Sequence, residues 1–235
     1  MAQQRYAEAL PLIERATQLA PQSAPAWLEM AYILRNLEKY DQALIASDRA
    51  LAIIPNAGNA WNNKGLVLFS MKQYEQALVA FDQALIKLSE ASSSSPLKSL
   101  MEIINRSETA LILMNKAMTL EALSRYDEAL AVYEQVLTND PGSSHAWNSK
   151  AIILVALHRY DEALVAYDQA LALKPQSATT WFNKFNLLSD MRHYEEALTA
   201  IEQTLLYDPG FARAWNGKAV ILAAQGRYAE ALVFY

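Results

Sequence analysis

Residues 147–175 read WNSKAIILVALHRYDEALVAYDQALALKP, two helical patterns joined by a short turn. Trp147, Ala151 and Leu154 fall at i, i+4 and i+7, the apolar stripe of an amphipathic helix. A short turn at His158-Arg159-Tyr160 follows. A second helix opens on Asp161-Glu162, acids that favour the positive end of a helix dipole. It closes before Pro175, because proline disfavours helical geometry at the residue preceding it. Ala151 faces Ala163 between the two helices, a small pair that lets the backbones approach, while Trp147 fills the wider end of the wedge.

The hairpin recurs. The steps from Trp27 to Trp61, from Trp147 to Trp181 and from Trp181 to Trp215 are equal. The step from Trp61 to Trp147 is two such periods plus a remainder of about half a period. Tyr6, Tyr40, Tyr74, Tyr126, Tyr160, Tyr194 and Tyr228 are each followed three residues later by Ala-Leu. Pro21, Pro55, Pro141, Pro175 and Pro209 form a third series, with Ser89 at the missing position. One hairpin cannot bury its own apolar faces, so such units must stack. The units are a lone second helix at 3–21, repeats at 24–57, 58–91, 110–143, 144–177 and 178–211, and a truncated repeat at 212–235.

Trp147, Ala151, Tyr160, Ala163, Tyr167, Ala170 and Pro175, and likewise Trp61, Gly65, Tyr74, Ala77, Phe81 and Ala84, resemble the tetratricopeptide repeat pattern over nearly the whole chain. The resemblance implies an all-α fold, a right-handed α-solenoid of stacked antiparallel helix hairpins in one domain. Three departures stand out. Phe185 sits where the siblings have Ala or Gly, so that hairpin must splay or repack. Ser47 replaces the large side chain found at Phe81, Tyr133 and Tyr167, which predicts looser packing, and Leu113 stands in for Trp.

The odd remainder in the Trp series falls within 89–109, where the register slips. Ala91-Ser92-Ser93-Ser94-Ser95-Pro96 has the composition of a loop, and Ser95 and Pro96 suit an N-cap and first helical position. Leu97, Leu100, Met101 and Ile104 follow at amphipathic spacing. The expected structure is a lengthened hairpin, with the second helix of repeat 58–91 running on and the next first helix starting about four turns early. Two readings stay open: a tolerated insertion, or an apolar ridge that contacts a partner, another copy or the chain's own groove.

In the family resembled, the first-helix face opposite the Trp lines a concave groove, at Trp −2, +2, +5 and +9. Those positions include Asn59, Asn63, Leu66, Asn115, Met118, His145, Ile152, Asn183, Asn186 and Arg213. Asn63, Asn115 and Asn183 share one position, and an amide offers both donor and acceptor to an extended peptide backbone. Leu66, Met118 and Ile152 make an apolar centre. Lys64, Lys116, Lys150, Lys184 and Lys218 stand beside the core stripe, so their stems are expected to pack and their amines to snorkel.

The net charge of −5 gives no basic footprint for nucleic acid and no polybasic patch for a membrane surface. With no cysteine, thiolate chemistry and disulfides are excluded. His145, His158 and His193 fall at unrelated repeat positions, and no phosphate-cradling loop or nucleophile elbow occurs. No catalytic residues, metal or cofactor are expected. The expected function is a non-catalytic, cytoplasmic, bacterial-type scaffold for a protein or peptide ligand. Two rivals are a regulatory or targeting arm of a larger enzyme or signalling protein, suggested by ends that look cut, and a structural solenoid that forms homo-oligomers through uncapped ends.

Overall fold

A computed structural model of the chain describes residues 2–94 and 98–232. Those residues form thirteen helices and no strand, in two compact units, Met1–Asp140 and Pro141–Tyr235. The first unit holds α1 (Ala2–Leu19), α2 (Ala24–Asn36), α3 (Tyr40–Ile53), α4 (Gly58–Ser70), α5 (Tyr74–Ser94), α6 (Lys98–Ala122) and α7 (Tyr126–Asn139). The second holds α8 (Ser144–Ala156), α9 (Tyr160–Leu173), α10 (Ala178–Asp190), α11 (Tyr194–Tyr207), α12 (Ala212–Ala224) and α13 (Tyr228–Ala231). Within each unit every helix packs on its sequence neighbours, and first helices also touch one another, α2 with α4, α4 with α6, and α8 with α10. The first helices therefore share a layer, and their outward faces form one surface per unit.

Three recurring devices hold the hairpins. The Trp and Pro series belong together: the indole N–H of Trp27, Trp61, Trp147, Trp181 and Trp215 donates to the carbonyl of the Pro six residues earlier, at 2.8–3.2 Å. Between the paired helices Ala31, Ala117, Ala151 and Ala219 are fully buried, as are Ala43, Ala77, Ala129, Ala163 and Ala197. Each first helix ends on a left-handed residue, Glu38, Lys72, Ser124, His158 and Arg192 at φ 57–61° and Gly226 at 77°. The next N–H reaches back to the carbonyl five residues earlier, as from Lys39 to Leu34 and Gln73 to Leu68, both 2.9 Å, closing the helix end.

The two interior departures have local solutions. Phe185 is buried because its helix partner is Ile201 instead of an aromatic, and because the next first helix presents Gly217. A Cβ at Gly217 would lie 2.8 Å from the Phe185 ring, so the hairpin repacks. Ser47 is completely buried, its hydroxyl donating to the Ala43 carbonyl at 3.0 Å.

At the interruption, α5 has 21 residues where α3, α7, α9 and α11 have 14, and α6 has 25 where α2, α4, α8, α10 and α12 have 13. α6 begins twelve residues before the repeat start at 110, which is a little over three turns. Ala91–Ser94, expected as loop, are instead the last turn of α5. Ala and Ser tolerate helix, and Ser92 has a reason to stay in it. Its hydroxyl donates to the Leu88 carbonyl and accepts from Asn105 Nδ2 on α6, both 3.0 Å, in a buried position. Ser95, Pro96 and Leu97 lie outside the described residues, as do the side chains of Leu100, Met101 and Ile104.

Candidate functional site

In the first unit the candidate groove residues lie on α4 and α6. Asn59 is exposed and Asn63 half-buried, and the Asn63 side-chain amide has no hydrogen-bond partner among the described residues. Leu66, Asn115 and Met118 come together around a cavity of about 40 Å³, with Phe69 and the fully buried Phe81 as its other walls. Met118 is 40% exposed at its mouth. Gly65 lies behind it, since a Cβ there would meet Phe81 at 2.5 Å. Asn115 Nδ2 donates to Asn62 Oδ1 at 3.0 Å, so one of its amide protons braces α6 against α4.

At the start of the same unit, Tyr6 on α1 and Tyr32 on α2 meet through their hydroxyls at 3.1 Å, with rings edge to face. With Arg5, Ala9, Glu29 and Ile33 they line a cleft of about 380 Å³. The hydrogen bond between the two hydroxyls raises the Tyr6 pKa. Arg35 stacks over the Tyr32 ring at 5.5 Å, and its partial burial lowers its pKa below the ordinary guanidinium value. The groove positions do not include Tyr6, because it comes from a second helix; its place in the Tyr series marks it, but not its partner.

In the second unit, His145 and Asn186 are exposed on α8 and α10, and Ile152 is 40% exposed. Ser149, which shares the Asn63 position, is buried. Asn183 Nδ2 donates to Asn148 Oδ1 at 3.1 Å, repeating the Asn115–Asn62 brace. Phe182 and Phe211 pack on each other, ring centres 4.8 Å apart, and Arg213 lies over the pair, 5.5 and 5.6 Å from the two centres; no acid pairs with it among the described residues. This aromatic pair under the cation is a feature that the groove positions alone do not reveal.

The lysine series is more than snorkelling. Lys64, Lys116, Lys184 and Lys218 reach Asp48, Asp82, Asp168 and Glu202 on the preceding second helix at 2.5–2.9 Å. Lys64, Lys150 and Lys184 also lie 5.5–5.8 Å over the Trp ring three residues before them. At second-helix starts, Arg125, Arg159 and Arg227 bind Glu128, Glu162 and Glu230, and these hydrogen bonds hold the three carboxyls below the usual range. These charges are committed to pairs between helices or within the first turn of one. Among the described residues no group of three or more His, Asp or Glu could hold a metal ion, and no helix is long and apolar enough to cross a membrane.

Tetratricopeptide repeat models match residues 1–66, 58–86, 114–178 and 182–235. Similar solved structures include PilW, a widely conserved type IV pilus biogenesis factor, at 19% identity over 93% of this chain and 91% of that one, TM-score 0.74. pilF of Pseudomonas aeruginosa is 16% identical over 90% and 88%, TM-score 0.71. YrrB, described as a tetratricopeptide repeat protein with an unusual peptide-binding site, is 18% identical over 88% and 97%, TM-score 0.62. At these identities the likeness is one of fold. No curated protein sequence matches.

Proposed function

The chain belongs to the tetratricopeptide repeat family, whose members serve in general as protein-interaction scaffolds, and on that premise we propose that its first-helix face docks an extended polypeptide segment without catalysis. The observation that carries this reading is the apolar cavity walled by Leu66, Phe69, Phe81, Asn115 and Met118. At about 40 Å³ it accepts the end of one apolar side chain. Asn63 has an uncommitted amide one turn before Leu66, and Asn115 keeps its carbonyl oxygen and one N–H for a peptide backbone. Hydrophobic anchoring beside backbone hydrogen bonding gives affinity with limited sequence demand. In the second unit, Asn186 and Ile152 offer the same pairing of polar and apolar contacts, and Arg213, seated over two rings, adds a site for an acidic side chain.

The test is selection of a phage-displayed random peptide library on the intact chain, followed by titration of the enriched peptides. Met118→Glu, which places a charge at the cavity mouth, and the triple variant Asn63→Ala, Asn115→Ala, Asn183→Ala should each weaken binding at least about tenfold. Val79→Glu, on the exposed side of α5, should leave it unchanged. Equal binding by all these variants would remove the groove as the docking surface.

A further inference from the structure

We propose that the interruption builds a second binding site, separate from the first-helix face, in the cleft between α5, α6 and α7. Its ligand is a carboxylate carried next to an aromatic side chain. At five turns between helices an indole N–H closes on a proline carbonyl. At this junction both partners are missing together: Ser89 stands for the proline and Leu113 for the tryptophan. α5 and α6 run on past the place where they would have met. What remains is a cleft of about 660 Å³, within the range that holds small organic ligands.

The lining states the ligand chemistry. Leu85, Leu88 and Leu113 form the apolar side, with Leu113 at the position tryptophan holds in the other repeats. The polar side is made of hydroxyls and amides, including Ser93, Gln135 and Asn139. Among the described residues Arg106 is the one charged group lining the cleft; no acid lines it, and no acid pairs with Arg106. The lysines that stack the repeats, by contrast, have carboxylate partners. A guanidinium that meets no acid among the described residues favours a carboxylate, which it can grip through two parallel hydrogen bonds. One wall is pre-set by the buried chain from Asn105 Nδ2 to Ser92 Oγ to the Leu88 carbonyl.

This chemistry is shared by an N-acylated aromatic amino acid and by a peptide ending in an aromatic residue. Calorimetric titration of the intact chain with N-acetyltryptophan, its amide, and a short peptide with a C-terminal tryptophan carboxylate tests the site and separates the sources. Both carboxylates should bind saturably. The amide, and the acid on Arg106→Gln, should bind about tenfold more weakly. Leu113→Trp should abolish binding by refilling the junction. Gln135→Trp, on the exposed side of α7, should do the same without touching the core. A tighter peptide points to a chain terminus and a tighter amino acid to a free metabolite. Met118→Glu should have no effect, so failure of the groove leaves this site testable. Absence of saturable binding by either carboxylate, or binding that survives Arg106→Gln and Gln135→Trp, would overturn the proposal.

Discussion

The Lys116 ammonium lies 2.6 Å from the Asp82 carboxylate at a sequence separation of 34, whereas Lys64–Asp48, Lys184–Asp168 and Lys218–Glu202 make the same contact at a separation of 16. The excess equals the slip in the Trp series between Trp61 and Trp147. The first unit thus keeps its stacking contacts across the insertion and places the surplus in longer helices. The slip in register changes what the junction exposes, not how neighbouring hairpins meet.

Trp181 Nε1 donates to the Pro175 carbonyl at 2.8 Å. Trp181→Phe keeps a ring and removes the donor. It should cost about 1 kcal/mol in denaturant unfolding, the net worth of one such hydrogen bond plus some lost packing. Leu113→Phe, at the junction that has no such bond, should not show this cost.

Phe185 and Gly217 should behave as a coupled pair. Gly217→Ala forces a Cβ against the ring at 2.8 Å and should destabilise by about 1–3 kcal/mol. In a Phe185→Ala background the same change should be close to neutral, because the ring is gone. A double-mutant cycle on urea midpoints checks the coupling.

The left-handed helix ends carry side chains at a small cost. Lys72, with φ 60°, is exposed and makes no side-chain contact, among the described residues, that would oppose replacement. Lys72→Gly should stabilise by about 0.5–1 kcal/mol, and Gly226→Ala, at φ 77°, should destabilise by a similar amount. Thermal unfolding of the two variants shows whether the signs are opposite.

Glu108 is pushed above the usual carboxylate range by burial. Below the unfolded value, about 4.3, it is protonated in both states and contributes nothing. As pH rises through the raised folded value, the folded state bears a growing penalty for the ionised form, complete above it. Glu108→Gln should therefore stabilise the chain near pH 7 and lose that advantage near pH 3, a difference read from urea unfolding at both.

Much of the fold is written in the sequence because stacking imposes a period: Trp181 and Pro175 each recur with the repeat, so their series are visible without coordinates. That they are one interaction is not, since a hydrogen bond leaves no mark on spacing beyond a constant offset of six. The Asn115–Asn62 and Asn183–Asn148 braces are hidden for a similar reason. Asn at the groove position is conspicuous, while its acceptor is an unremarked neighbour of the preceding Trp. Ala91–Ser94 misled because composition reports local preference, and the Ser92–Asn105 contact that keeps them helical is tertiary. Arg213 is legible as a groove cation, but the two rings beneath it come from a different helix and from the turn before its own.

Site-specific cross-linking reads which face a bound peptide touches. A photo-reactive phenylalanine analogue is placed at Asn63, beside the Leu66–Met118 cavity, or at Val79, on the exposed side of α5, and each chain is irradiated with the same selected peptide. Cross-linking from position 63 and none from 79 is the predicted result. Cross-linking from 79 with none from 63 would contradict it.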